Sequence, residues 1–243
     1  MNVAMVDLTV VIPVWNEAGR VASGIAGFSK LWGMLPRGAW STVECLVVDD
    51  GSTDGTGRIA EAAAGPGVRV LTAPHRGKGA AIRRGVVESR GRRILVVDVD
   101  WSVAPGQVAE LLRVQGQVVC ASREGHGARR IGEPAWRHLL GRGFNRVVQQ
   151  FVLAGVQDSQ CGCKAFDHEV AMDLFGRLTI EGWAFDVELL TMAYAHGYSV
   201  REVPIVWRHD ADSRVGVLTD GWAMFRDVRK VRRNLRAGVY FNK

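Results

Sequence analysis

The chain has 243 residues, 47 % of them hydrophobic and 23 % charged, which suits one large soluble α/β domain or two small ones and excludes a disordered or fibrous chain. With 31 Lys and Arg against 25 Asp and Glu, the net charge of +6 favours an anionic partner: a phosphorylated small molecule, an acidic membrane surface or a nucleic acid.

In chain order, the β-branched run Leu8–Val14 predicts a buried strand, and the segment after "WNE" a helix to Leu31. Val43–Asp50 predicts a second strand, "TDGTGRIAEAAA" a helix, Val68–Ala73 a third strand and "GKGAAIRRGVVES" a third helix. "RRILVVDVD" predicts a fourth strand that carries Asp98 and Asp100 at its end. This repeat implies a mostly parallel sheet covered on both faces, whose ligands bind at the carboxyl ends of the strands. Asn16, Glu17, Asp49, Asp50, the segment His75–Lys78, Asp98 and Asp100 therefore share one rim. Gln117–Arg123 predicts a further strand. Residues 135–156 carry an apolar stripe (Trp136, Leu139, Leu140, Phe144, Val147, Val148, Phe151, Val152) beside Arg137, His138, Arg142 and Arg146. That pattern fits either a core helix or a basic helix lying on an anionic bilayer. From Phe225 to Arg236, six cations face one acid, as in a solvated helix or a membrane-surface contact.

The start "MNVAMVDLTVVIPVW" has no basic n-region or small-residue cleavage site, and no run approaches 18 apolar residues, so neither a signal peptide nor a membrane span is expected. Cys45, Cys120, Cys161 and Cys163 form no disulfide-dense or zinc-binding pattern; free thiols in a reducing cytoplasm are expected.

Residues two apart on an extended chain point the same way, so Asp98 and Asp100 are expected to face one point and Val99 the other. Paired carboxylates remain ionised when a divalent cation lies between them, and oxygen donors favour Mg²⁺ or Mn²⁺ bound jointly with substrate phosphates. Asp49 or Asp50 is a candidate acceptor for a base or ribose. "HRGKGAA" places Lys78 and helix amides where a phosphate would bind, although it lacks Walker A spacing. No GxGxxG follows the first strand, which argues against a dinucleotide-binding dehydrogenase.

"VVIPVWNE", "LVVDDGSTDGT", "RGKGAAIRRG" and "DVDWS" resemble, in order and spacing, the inverting glycosyltransferases of family 2, which have the GT-A fold. "ASRE", "DSQCGCKAF", "EGWAFDVELL" and "REVPIVWRHDADSRV" are similar to the polyprenyl-phosphate sugar synthases, the dolichyl-phosphate β-glucosyltransferase branch above all. The resemblance implies a catalytic domain over residues 1–216 and a basic C-terminal helix or tail over 217–243. It implies transfer of a hexose, with UDP-glucose favoured, to a polyprenyl phosphate with inversion, and a peripheral cytoplasmic enzyme on the inner membrane face. Pro13, Asn16, Glu17, Asp49 and Asp50 match positions that hold the nucleoside. Asp98 and Asp100 match the metal ligands, and Lys78 and Arg123 lie near the substrate phosphates. Asp158 matches a carboxylate near the reaction centre, and Ser213 and Arg214 match a segment that closes over the diphosphate; apart from the resemblance, Arg137, Arg142 and Arg146 of the basic stripe are expected to help draw the acceptor phosphate and lipid headgroups. Catalysis falls to Asp100, Asp158 and Arg123, with Asp158 orienting rather than accepting a proton, because a phosphate acceptor is already anionic.

Val99 and Trp101 are bulkier than in many relatives, and Trp101 is expected to reshape the donor pocket. GDP-mannose or a UDP-N-acetylhexosamine are alternative donors. A soluble hydroxyl acceptor, which would require Asp158 or Glu181 as base, is an alternative acceptor. A non-catalytic nucleotide-sugar or nucleic-acid binding module is the alternative of another class, although no nucleic-acid motif accompanies the basic segment.

Overall fold

A computed structural model describes residues 4–153, 155–209 and 217–241, with the side chains of 137 and 217–221 excepted. Its first half follows the apolar periodicity closely. β1 (Val6–Val14), α1 (Val21–Met34), β2 (Val43–Asp49), α2 (Thr56–Ala63), β3 (Val68–Thr72), α3 (Lys78–Val87) and β4 (Gly91–Val96) succeed one another as strand and helix. After α4 (Pro105–Leu111), β5 (Val118–Ser122) and the short β6 (Arg129–Ile131) comes α5 (Ala135–Phe151). The chain then forms β7 (Lys164–Asp167), α6 (His168–Arg177), α7 (Phe185–Ala195), β8 (Val200–Pro204), β9 (Val206–Arg208) and α8 (Val217–Arg236).

The seven-stranded sheet has the order β3-β2-β1-β4-β7-β5-β8, with β7 antiparallel to both of its neighbours and the other pairings parallel. Period-2 alternation gives it two cores. Leu8, Val10, Ile12 and Val14 enter one with Leu95, under α1 and α4, while Val11, Ile94 and Val96 enter the other, under α3, α6 and α7. The chain runs outward from β1 to β3 and then returns to the other side of β1 with β4. The strand order therefore reverses between β1 and β4, and their carboxyl ends open the crevice where α/β sheets place ligands.

The stripe on α5 divides in two. Val148 is fully buried and Phe144, Phe151 and Val152 pack against the core, whereas Trp136, Leu139 and Leu140 are exposed, Leu139 at 72 %. The helix ends at Phe151, short of the expected 156, where Val152 leaves helical geometry. The basic segment after residue 216 is an ordered amphipathic helix. Met224, Val228 and Val231 of α8, with Tyr240 beyond it, join the core, while Arg226, Arg229, Arg233 and Arg236 stay exposed. Among the described residues no helix is long and apolar enough to cross a membrane.

Candidate active site

At the carboxyl end of β1 the chain turns through Asn16, whose φ of 53° is left-handed. The strain is held by the neighbouring loop: Asn16 N donates to Ser52 Oγ at 2.8 Å and Asn16 Oδ1 accepts from Thr53 N at 2.8 Å. Glu17 N donates to Thr56 Oγ1 at 2.7 Å, and the Glu17 carboxylate holds Arg20 at 2.7 Å. Half-buried Pro13 lies in β1 opposite Val48 of β2. Asp49 and Asp50, expected to meet a base or ribose, are both buried and engaged by their own surroundings. Asp49 Oδ1 accepts from Ser52 N and Oγ at 3.0 and 2.5 Å. Asp50 accepts from Arg76 N at 3.0 Å and Gly77 N at 2.8 Å, and pairs with His75 Nδ1 at 2.8 Å. These contacts tie two loops together, and the exposed face of the loops carries the stacked pair Trp15 and His75, with ring centroids 4.4 Å apart.

The start of α3 is also occupied. Gly79 N and Ala80 N donate to the Glu181 carbonyl at 2.7 and 3.2 Å, so the helix-end amides expected to cradle a phosphate are capped by the chain itself. The Glu181 carboxylate holds Arg76. Gly77 has a φ of 123°, and a Cβ there would fall 2.7 Å from the Glu181 carbonyl, so this close approach requires glycine. Lys78, expected at a phosphate, places its ammonium 2.6 Å from Asp98 Oδ1.

β4 stops at Val96, so Asp98 and Asp100 lie on a turn rather than on the extended strand from which they were aligned. The turn keeps them on the rim: Trp101 N donates to Asp98 O at 3.1 Å, and Trp101 adopts a left-handed φ of 48°. Val99 does point inward, onto Gly24 of α1. Trp101 does not reach into the rim as expected; its indole N–H donates to Gly24 O at 2.8 Å and its ring lies over Gly27. The bulk at 99 and 101 is thus housed by two glycines one helical turn apart. Asp100 accepts from Ser102 N at 3.0 Å and Ser102 Oγ at 2.7 Å. Burial and the charge of Asp98 push the Asp100 carboxyl above the usual range, against the pull of Ser102 and Lys78. The two carboxylates, hard oxygen donors on one turn at the strand ends, are the residues that would hold a divalent ion together with phosphate oxygens. Among the described residues no group of three or more His, Cys, Asp or Glu side chains could hold a metal ion by itself.

Asp98 rests directly on Gly162, where a Cβ would collide with the carboxylate oxygens. Gly162→Ala is therefore expected to displace Asp98 and weaken Mn²⁺ binding about tenfold, with circular dichroism unchanged; calorimetric titration of the metal checks it.

Two buried ion pairs support the rim. Lys164, missed in the sequence because it sits inside "CGCKAF", donates to Asp186 Oδ1 at 2.7 Å and to Cys161 O at 2.6 Å. Burial alone would lower the Lys78 ammonium, but Asp98 and Asp186 outweigh it and hold it above its usual value. Arg123 and Asp158 form a two-pronged pair at 2.7 and 2.8 Å, and Arg123 N also donates to Asp158 Oδ2 at 2.9 Å. Burial would raise the Asp158 carboxyl, yet Arg123 holds it far below the usual range. Glu202 accepts from Gln157 N and Asp158 N, fixing that turn onto β8. Arg123, expected near phosphate, is thus committed to Asp158 and stacks 5.4 Å from the Trp207 ring centroid. Arg137 lies in the first turn of α5, and Ser213 and Arg214 lie outside the described residues.

Residues 9–175 match the glycosyl transferase family 2 profile. The chain is similar to dolichyl-phosphate β-glucosyltransferase of Homo sapiens, 32 % identical across 96 % of this chain and 77 % of that protein. It is also similar to the enzyme of that name in Saccharomyces cerevisiae, 28 % identical across 96 % of this chain and 76 % of that protein. Its fold superposes on glucosyl-3-phosphoglycerate synthase from Mycobacterium tuberculosis, solved with Mn²⁺, UDP and phosphoglyceric acid. That match has a TM-score of 0.65 at 23 % identity, covering 93 % of this chain and 77 % of that one. Mannosyl-3-phosphoglycerate synthase from Rubrobacter xylanophilus matches with a TM-score of 0.67 at 21 % identity, covering 96 % of this chain and 75 % of that one. With this sheet order, this rim and a family match over most of its length, the chain is a GT-A-fold enzyme belonging to glycosyltransferase family 2.

Proposed function

We propose that the protein transfers glucose from UDP-glucose to the phosphate of a polyprenol, with inversion at the anomeric carbon. The bond from that carbon to the UDP oxygen breaks as one to the acceptor phosphate oxygen forms. The observation that carries this reading, beside the similarity to the human dolichyl-phosphate β-glucosyltransferase, is that the carboxylates around the Asp98–Asp100 pair are, among the described residues, already engaged by the protein itself. Asp158 is held ionised by Arg123, Glu181 is bound to Arg76, Asp186 to Lys164, and Asp49 and Asp50 to their own loops. A hydroxyl acceptor would need a free carboxylate as base, whereas a phosphate monoester arrives as an anion. Asp98 and Asp100 would hold Mg²⁺ or Mn²⁺, and the ion would supply charge neutralisation for the departing diphosphate. The remaining task of the chain is positioning, which the Asp158–Arg123 pair serves by fixing the end of β5.

The test is transfer of label from UDP-[¹⁴C]glucose into the organic phase with dolichyl or undecaprenyl phosphate, run beside 3-phosphoglycerate and free alcohols. Metal-dependent labelling of the polyprenyl phosphate supports the reading; labelling of the water-soluble acceptors alone overturns it.

Exposed Trp136, Leu139 and Leu140 on α5, beside exposed Arg142 and Arg146, suit a polyprenol carried in a bilayer. The protein is expected to co-sediment with vesicles of phosphatidylserine and phosphatidylcholine, less so at high salt. Leu139→Glu should weaken that binding by about tenfold, and equal binding of this variant would remove α5 from the contact.

A further inference from the structure

Asp98 already has a cation. The Lys78 ammonium lies 2.6 Å from its Oδ1, while the other side of the carboxylate rests on Gly162. Lys78 is not loosely placed. It opens α3, whose first amides are capped by the Glu181 carbonyl and whose preceding Gly77 N is held by Asp50. Its ammonium also stands 5.3 Å from the centroid of the Trp183 ring. Behind it, Asp186 is paired with Lys164, so charges alternate inward as Asp98, Lys78, Asp186 and Lys164. Asp100 is the unbalanced member: its hydrogen-bond partners are the amide and hydroxyl of Ser102, and no described cation pairs with it.

We propose that Lys78 is a tethered counter-ion of Asp98, standing where the divalent metal must bind and yielding Asp98 only when the donor's diphosphate offers the ammonium a new anion. This rests on the metal-dependent transferase reading and deepens it. A metal arriving alone has to displace Lys78 and leave its charge beside its own, which costs affinity. A metal arriving with a diphosphate does not, because Lys78 can follow the phosphate oxygens. Metal and nucleotide therefore bind with positive coupling, and the coupling is reciprocal. The rim is kept from holding a bare metal ion, and the cation that prevents it remains in place to meet the leaving group.

The experiment is titration of Mn²⁺ into the whole chain, with free Mn²⁺ followed by electron paramagnetic resonance, first without nucleotide and then with UDP. It is run on the wild type, Lys78→Met, Lys78→Gln and Lys78→Arg, each first shown to melt cooperatively. Lys78→Met and Lys78→Gln are expected to bind Mn²⁺ alone about tenfold tighter than the wild type, and UDP is expected to improve their Mn²⁺ binding by a correspondingly smaller factor. Lys78→Arg, which keeps the charge, should stay near the wild type. Unchanged or weaker Mn²⁺ binding in the two neutral variants overturns the inference. Failure of the wild type to bind Mn²⁺ even with UDP would instead overturn the metal-dependent reading beneath it.

Discussion

Asp98→Asn and Asp100→Asn are each expected to lower kcat by about a thousandfold or more while the protein melts within a few degrees of the wild type. Both residues lie on a turn at the tip of β4, Asp98 partly exposed and Asp100 exposed, so neither carries buried charge on which the fold depends. Their cost to the empty protein is visible at Asp100, whose carboxyl is pushed upward by partial desolvation at the rim and by the Asp98 charge. Removing one carboxylate relieves that repulsion and at the same time removes a ligand of the proposed metal. The two variants should differ in one respect. Asp98→Asn also frees Lys78, so its residual UDP affinity without metal should match or exceed that of Asp100→Asn. Steady-state kinetics together with UDP titrations with and without Mn²⁺ check both statements; near-normal kcat in either variant contradicts the assignment.

The second large effect falls on stability. Asp158→Ala is expected to lower the unfolding free energy by about 3–5 kcal/mol, because it strands the Arg123 guanidinium in a mostly buried place. Asp158→Asn, which retains hydrogen-bond acceptance, should lose less. The pH dependence follows from the direction of the shift. Asp158 is held below the ordinary aspartate value of about 3.9 when folded, so its contribution is fully present above that value. It is lost as pH falls from there toward the folded-state value, and the Asp158→Asn variant should show a flatter acid limb. Urea denaturation across that range measures it. Equal acid sensitivity of the two proteins would mean that the pair is not ionised in the fold.

The first four strands and three helices were legible because β1, β2 and β4 are largely buried apolar runs, the edge strand β3 a half-buried one, and each helix begins after a polar turn. β1 exceeds its expected range by only two residues, starting at Val6 rather than Leu8. β7 was not legible: "KAFD" is four residues long, and nothing in its composition says that it inserts antiparallel between β4 and β5. The rim itself was legible, since strand ends and polar residues coincide. Its internal pairing was not. The Glu181 carbonyl that caps α3 lies about a hundred positions from the amides it binds, and Lys164 reaches Asp186 across a loop and a helix. Such pairs depend on which elements pack together, which the pattern of a single segment does not contain. Trp101 illustrates the same limit. Its size suggested a change in the donor pocket, but Gly24 and Gly27 give it a place on α1. Those two glycines, spaced one turn apart on the buried face of α1, were the available signal.

In the proposed reaction the two carboxylates at the tip of β4 receive a divalent ion together with the donor's diphosphate. A crystal of the protein grown with Mn²⁺ and UDP, with manganese located by its anomalous scattering, tests this most directly. Manganese is expected bonded to Asp100 or Asp98 and to diphosphate oxygens, with the Lys78 ammonium moved from Asp98 to the phosphates. UDP bound with no manganese at this rim, and Lys78 still on Asp98, would contradict it.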